Sequence, residues 1–195
     1  MRKIKVSRQV CWAVAGLALI ASSSCTRASD STEQTFTARD GGTVARVSIP
    51  DSEPRSLGTY RAEVTWPDGT QATMQTARDG MIDTVWLADL DGDGTPELVV
   101  ATSVVGSGAY GDVQVYHRTG GTLTGLAMPP VGDDGAPGYM GHDVFSVRDG
   151  RLFRTYPVYR EGDANAEPTG GEAVFWYSLA DSTWVRQPDS ATTPP

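Results

Sequence analysis

Cysteine is nearly absent from this sequence, which restricts how the fold can be stabilised. Only Cys11 and Cys25 occur among 195 residues. Cys11 lies inside an apolar N-terminal stretch that has the pattern of an export signal. Once that stretch is removed, at most one cysteine remains, so no disulfide can form within the chain. We therefore expect a fold stabilised by side-chain packing.

Lysine is missing from every position after residue 5. Four of the 16 basic residues lie in residues 1–24, which leaves 12 arginines against 24 acidic residues and a net charge of −12 on the exported chain. Such a surface repels nucleic acid and anionic lipid and favours cationic partners. An acidic balance also increases solubility without any specific partner. We expect no binding to nucleic acid.

Helical periodicity is also lacking, since no stretch of about a dozen residues keeps apolar side chains at helical spacing. Apolar and polar residues alternate instead, as in residues 43–49 and 60–66, which is the period of half-buried strands. Turn dipeptides such as Asp149-Gly150 and Asp181-Ser182 separate the alternating segments. We predict an all-β antiparallel fold, either a β-sandwich or a flattened barrel, with about eight or nine hairpin-connected strands.

The first 24 residues have a basic start and an apolar run, and they end in three serines. This pattern is typical of a signal peptide and predicts export to the periplasm. Cys25 follows directly, which predicts a lipoprotein anchored to a membrane through this residue, although Ser22 stands where leucine is usual. Cleavage near Ala28 is the alternative, and it would leave an unanchored periplasmic protein.

Composition divides the rest of the chain. Residues 25–34 are polar and predict a flexible tether. Residues 35–187 carry the strand and turn signals, and we predict one β-domain there. Residues 188–195 predict a disordered tail.

An acidic stretch offers a candidate metal site. Asp89, Asp91, Asp93 and Glu97 stand at positions 1, 3, 5 and 9 of one stretch, and calcium takes six to eight oxygen ligands of this kind. The twelfth position is Val100 rather than glutamate, and strands flank the loop, so it is not an EF-hand. It is similar to the calcium loops of integrin-type propeller repeats. Without a metal, the same residues form an ordinary hairpin turn.

A glycine-rich stretch lies between two predicted strands and reads Gly106-Ser107-Gly108-Ala109-Tyr110-Gly111. Its three glycines permit close turns, so the loop can project from the sheet while Ser107 and Tyr110 supply two hydroxyls. Projecting loops often carry function, but a loop of this composition is also a common connection in hairpins.

A hydrolase is the weakest interpretation. Ser107 could form a nucleophilic triad with one of two histidines, His117 or His142, and with Asp143. The serine lacks the strand-to-helix turn of Gly-x-Ser-x-Gly enzymes, and His117 lies near the end of a predicted hairpin. We expect no catalytic residues, and the protein is not expected to be an enzyme.

Several segments together resemble the periplasmic inhibitors of invertebrate-type (I-type) lysozyme. They comprise residues 87–100, Ser107-Gly108-Ala109-Tyr110, Gly141-His142-Asp143, Arg148-Asp149-Gly150-Arg151-Leu152 and the long run of residues 156–171. The resemblance extends over residues 86–179. The N-terminal part is similar mainly in the rhythm of its strands.

The resemblance implies a compact β-sandwich, often a homodimer, that blocks the lysozyme cleft by inserting Ser107, Gly108, Ala109 and Tyr110. Such a protein would protect bacterial peptidoglycan from host lysozyme. It would require no cofactor, and lysozyme, I-type in the first place, would be its partner. The competing hypothesis is a calcium-dependent surface-binding or adhesion module that uses Asp89, Asp91, Asp93 and Glu97.

Overall fold

The computed structural model describes residues 33–106, 108–131 and 137–188. The expected signal peptide, Cys25, Ser107 and residues 189–195 of the expected tail lie outside the described residues. So does the expected tether up to residue 32, whereas its last residue, Gln34, already belongs to the first strand. Among the described residues there is no helix that could cross a membrane.

The described residues form twelve strands and no helix. The strands are β1 (Gln34–Asp40), β2 (Thr43–Ile49), β3 (Leu57–Thr65), β4 (Gln71–Asp79), β5 (Met81–Ala88), β6 (Glu97–Ser103), β7 (Gly111–Thr119), β8 (Thr122–Ala127), β9 (Val144–Arg148), β10 (Arg151–Pro157), β11 (Glu172–Ala180) and β12 (Thr183–Pro188).

The strands pair in three antiparallel sheets of four, each with its strands in sequence order: β1 to β4, β5 to β8 and β9 to β12. This confirms the all-β, antiparallel, hairpin-connected prediction, and none of the three sheets closes into a barrel. The predicted number of strands was too low. Each arm of every short hairpin forms its own strand, which gives twelve strands in place of eight or nine. One of them, β1, was missed because its sequence, QTFTARD, has few apolar residues.

Local turn chemistry accounts for the tight hairpins. Asp149 and Gly150, between β9 and β10, have φ angles of 50° and 65°. Asp181 and Ser182, between β11 and β12, have φ angles of 49° and 56°. Positive φ at both central residues matches the twist of antiparallel strands, and glycine and aspartate tolerate it better than most residues. These turns set the register of the third sheet.

The β5–β8 sheet lies between the other two sheets and is covered on both faces. Its strand β6 is buried from Glu97 to Thr102. Leu98 and Val100 belong to the core shared with the first sheet. Val99 and Ala101 belong to the core shared with the third sheet. Because successive side chains of a strand point to opposite faces, one strand contributes to both cores.

The two cores differ in their contents. The first combines small and β-branched residues with two leucines and three aromatic residues, Tyr60, Trp66 and Tyr116. The second gathers Leu152, Tyr177 and Leu179 of the third sheet against the central one. None of the described elements covers the outer face of the third sheet. There, Arg151 stacks on Trp176 with 4.4 Å between the guanidinium carbon and the ring centroid, a contact that shields apolar surface from water.

Candidate functional site

The glycine-rich loop connects β6 to β7 and folds back on itself. Val104 N donates to Tyr110 O at 2.9 Å, which closes the base of the loop. Ala109 N donates to Gly106 O at 3.3 Å, and Ala109 has a φ of 38°. The loop is therefore a compact turn at the end of a buried strand.

Tyr110 is the largest side chain of this loop and is 48% exposed. One edge of its ring lies against Gly108, where a Cβ atom would collide with the ring. The ring also meets Tyr139 edge to face, with centroids 5.7 Å apart. Among the described residues none forms a hydrogen bond with the Tyr110 hydroxyl, so this group is available to a partner.

Residues 138–143, which we call the supporting segment, lie beside the loop. His142 N donates to Gly108 O at 2.7 Å. Gly111 N donates to Asp143 Oδ2 at 2.7 Å. Two polar contacts thus hold the loop backbone on either side of Tyr110.

A buried ion pair anchors the supporting segment. Arg154 Nε on β10 lies 2.7 Å from Asp143 Oδ1, and the two side chains are 4% and 0% exposed. The Tyr139 hydroxyl donates to Asp143 Oδ2 and accepts from Arg154 Nη2, each at 2.7 Å. Burial, and next the bond to Asp143, raise the pKa of Tyr139, so the phenol stays protonated as this network requires.

The loop and the supporting segment carry exposed apolar side chains. Val104, Val105, Tyr110 and Met140 are among seven large apolar residues exposed in the described part of the chain. Four of those seven therefore lie on the loop or the supporting segment. A concentration of this kind is typical of a surface that contacts another protein.

The acidic stretch forms the turn between β5 and β6. Carboxylate oxygens of Asp89, Asp91 and Glu97 all lie within 4.8 Å of one another. That group leaves out Asp93, whose Oδ1 accepts from Thr95 N at 2.6 Å. Asp89 accepts from Gly92 N and Gly94 N, at 2.8 and 3.0 Å. Three of the four predicted metal ligands thus converge.

Glu97 differs from its neighbours because it is 2% exposed. Its Oε2 accepts from Leu90 N at 2.7 Å, which fixes the carboxyl at the mouth of the turn. Burial, and to a lesser extent the charges of the nearby aspartates, raise its pKa to about 7. The donor set fits a hard cation, since a positive charge would offset both effects.

The structure does not place Asp143 and His142 as partners in a catalytic triad. Asp143, the proposed acid of a triad, bonds to Arg154, Tyr139 and the backbone of the loop. The His142 ring instead has Asn165 Oδ1 at 3.4 Å from its Nε2. The carboxylate therefore orients the loop and does not orient this histidine.

Sequence reasoning missed the side chains that hold the loop. It found the glycines and Tyr110, but it did not identify Arg154 or Tyr139 as residues that support the loop. Arg154 stands more than 40 residues after the loop. Two glycines flanking Tyr139, at positions 138 and 141, were the local signal of a close backbone approach.

Comparison with known proteins identifies a related family. The model of the family described as PliI, periplasmic lysozyme inhibitor of I-type lysozyme, matches residues 33–128. These residues span β1 to β8 and include the loop. The later segments that contributed to the resemblance, from residue 141 onward, lie outside the match. A comparison with curated protein sequences gives no significant match.

Three solved structures are similar to this chain, and two of them are periplasmic lysozyme inhibitors. Aeromonas hydrophila PliI in complex with Meretrix lusoria lysozyme is 33% identical, over 44% of this chain and 74% of that chain, with a TM-score of 0.38. PliI-Ah, the periplasmic lysozyme inhibitor of I-type lysozyme from Aeromonas hydrophyla, is 27% identical, over 50% of this chain and 89% of that chain, with a TM-score of 0.39. A Xanthomonas type IV secretion system related protein is 18% identical over 78% of each chain, with a TM-score of 0.45.

Proposed function

This chain belongs to the family of periplasmic lysozyme inhibitors of I-type lysozyme, and on that premise we propose that it inhibits an I-type lysozyme by inserting its β6–β7 loop into the substrate cleft. The observation that carries this proposal is the loop itself. Tyr110 lies at the end of the loop and is half-exposed. Its hydroxyl forms no hydrogen bond with any described residue, and exposed apolar side chains lie near it. The loop also lies within the residues matched by the family.

The chemistry of a glycosidase cleft suits such a loop. The cleft holds two carboxyl groups with different pKa values, one ionised and one protonated. A hydroxyl can donate to the first or accept from the second, and both Ser107 and Tyr110 carry one. Gly106 and Gly108 keep the main chain narrow enough to enter a slot shaped for sugar. The loop presents no glycosidic bond, so the enzyme has nothing to cleave.

Charge supports the encounter. The exported chain has a net charge of −12, since 12 arginines remain against 24 acidic residues. An acidic inhibitor is attracted to a cationic lysozyme, which raises the association rate at low salt. We expect this rate to fall as ionic strength increases.

A side-by-side inhibition assay against I-type, C-type and G-type lysozymes tests the proposal. We expect inhibition of the I-type enzyme. Replacing both hydroxyls, Ser107→Ala with Tyr110→Phe, should weaken binding by about 2 to 4 kcal/mol, because each lost hydroxyl leaves a buried partner unpaired. Ser52→Ala is the control, because Ser52 is exposed and far in sequence from the β6–β7 loop. This variant should inhibit like the parent. A double variant as potent as the parent would show that the loop does not act in this way.

Anchoring and assembly are further parts of the proposal. The family is periplasmic, and we propose that Cys25 carries a lipid that fixes the protein to a membrane. Its position directly after the signal-like stretch supports this. Cys25→Ala should then release the protein into the soluble periplasmic fraction. The resemblance also supports a homodimer, which sedimentation of the purified protein at several concentrations would detect.

A second candidate function uses the β5–β6 turn. The observation that favours it is the buried Glu97 carboxyl beside Asp89 and Asp91. We propose that these oxygens, with or without Asp93, bind calcium and that the turn serves a calcium-dependent adhesion surface. Calorimetry with calcium tests it. Binding that is lost in Asp89→Asn, together with no lysozyme inhibition, would favour adhesion. Inhibition that is unchanged by a chelator would favour the inhibitor.

A further inference from the structure

We propose that the supporting segment, residues 138–143, positions the β6–β7 loop for binding and is part of the inhibitory apparatus. This inference rests on the proposed function of that loop. The segment follows the residues that the family model matches, 33–128. It therefore lies outside the matched residues and contacts them at the candidate functional loop.

The contacts lie on both sides of Tyr110. His142 N holds the Gly108 carbonyl at 2.7 Å, two residues before it. The Asp143 carboxylate holds the Gly111 amide at 2.7 Å, one residue after it. The chain on either side of the exposed ring therefore has its direction set by residues outside the loop.

Packing restricts the ring itself. Tyr139 meets Tyr110 edge to face at an interplanar angle of 77°. Gly141 lies so close to the Gly108 carbonyl that a Cβ atom would overlap it. The approach of the two backbones thus depends on glycine at position 141.

A buried hydrogen-bond network attaches these contacts to the third sheet. Arg154 belongs to β10, and its guanidinium bonds both Asp143 and the Tyr139 hydroxyl. The backbone of Tyr139 is also held next to the end of β10, because an isolated bridge pairs Tyr139 with Val158. Asp143 then connects the side-chain network to the loop through Gly111 N.

The physical benefit is preorganisation. A glycine-containing loop has many conformations, and ordering it during binding would reduce affinity. Contacts that order the loop before binding avoid that loss. They should act on both the affinity for lysozyme and the order of the free loop.

Two glycine variants with similar backbone geometry test the inference. Gly141 and Gly162 have φ angles of +87° and +90°, so alanine is strained at both. Alanine at 141 meets the Gly108 carbonyl, whereas alanine at 162 meets nothing within 4 Å. G162A thus controls for backbone strain, and only G141A displaces the loop.

The first readout is amide hydrogen exchange of the free protein at Gly111, whose N–H bonds Asp143. We expect exchange about tenfold faster in G141A than in G162A. The second readout is the inhibition constant for I-type lysozyme, which we expect to rise about tenfold in G141A and to stay within about twofold of the parent in G162A. Equal values for the two variants in both readouts would overturn the inference.

Tyr139→Phe supplies a milder variant in case G141A folds poorly. It keeps the ring against Tyr110 and removes only the hydroxyl that links Asp143 with Arg154. We expect faster exchange at Gly111 and inhibition weakened by about threefold or more. Unchanged exchange at Gly111 would overturn the inference. If the parent failed to inhibit lysozyme, the proposed function would fall, and the exchange data would still decide whether the segment orders the loop.

Discussion

Two regions of the molecule each bury a carboxyl group, and they differ in how its charge is balanced. Asp143 in the supporting segment is 0% exposed at its side chain and lies 2.7 Å from Arg154 Nε. Glu97 in the β5–β6 turn is 2% exposed and shares its surroundings with Asp89 and Asp91. The first carboxyl is neutralised by a cation of the protein, and the second lies among like charges.

The difference indicates how each region responds to its surroundings. The arginine of the first region keeps its charge throughout the physiological pH range. The network that supports the candidate inhibitory loop therefore contains a permanent cation, Arg154. The β5–β6 turn contains a carboxyl with a pKa raised to about 7, so its charge depends on pH. The two ends of β6 therefore differ: the loop after it is held by a buried ion pair, and the turn before it contains a carboxyl that titrates near neutral pH.

The largest expected effect comes from breaking the buried pair. Arg154→Met should lower the free energy of unfolding by about 3 to 5 kcal/mol, because it leaves the Asp143 charge buried without its partner. Urea denaturation at neutral pH measures this loss. The exposed pair between Arg61 and Glu63, 2.7 Å apart at 55% and 45% exposure, provides the control, and Arg61→Met should cost less than about 1 kcal/mol. Equal losses in the two variants would contradict the assigned role of burial.

A somewhat smaller effect should come from the pH dependence of Glu97. Its folded pKa of about 7 exceeds the ordinary value of 4.5. Between these pH values the folded protein keeps a proton that the unfolded chain loses. The free energy of unfolding should therefore fall as pH rises through this window, by about 3 kcal/mol in total.

Glu97→Gln isolates this contribution, since glutamine does not titrate and can still accept from Leu90 N. Other carboxyls titrate too, and Asp68, with a pKa lowered to about 2 by its bonds to Thr70 and Arg118, acts in the opposite sense. The difference between parent and variant, measured by denaturation with a chelator present, removes those contributions. A difference that does not change between pH 4.5 and 7 would show that the carboxyl is not perturbed as described.

The smallest effect distinguishes burial from charge as the cause of the raised pKa. Burial is the larger cause, and the charge of Asp91 is a lesser one. Asp91→Asn keeps an oxygen to accept from Asp93 N, a bond of 3.0 Å, and removes only the charge. The pKa of Glu97, followed by NMR of its side-chain carboxyl, should fall by less than about one unit. A return to the ordinary value would mean that the neighbouring charges, not burial, set the difference between the two regions.

Local chemistry made much of the fold predictable. Alternation located β2 and β3, and dipeptides such as Asp149-Gly150 located the turns, because each signal lies within a few residues of its effect. The glycines and Tyr110 of the β6–β7 loop were visible for the same reason. β1 was not predicted, since most of its residues are polar and it depends on pairing with β2.

Contacts between distant residues were not predictable in this way. Nothing near Asp143 in sequence indicates that Arg154 will neutralise it, because the pair forms only when β10 passes the supporting segment. Spacing grouped Glu97 with Asp89 and Asp91, and the carboxylate oxygens of these three residues lie within 4.8 Å of one another. The burial of Glu97, which raises its pKa, follows from the third sheet and the first sheet covering both faces of β6. Tertiary packing thus decides the charge state of residues that sequence alone can only identify.

The position of β6 between two cores has a consequence for how the protein opens. A strand whose alternate side chains belong to different layers cannot leave one layer without disturbing the other. Fluctuations that detach only the first or only the third sheet should leave the hydrogen bonds of residues 98–102 in place. The amide protons of these residues should therefore be the slowest in the chain to exchange with deuterated water, and their rate should report complete unfolding.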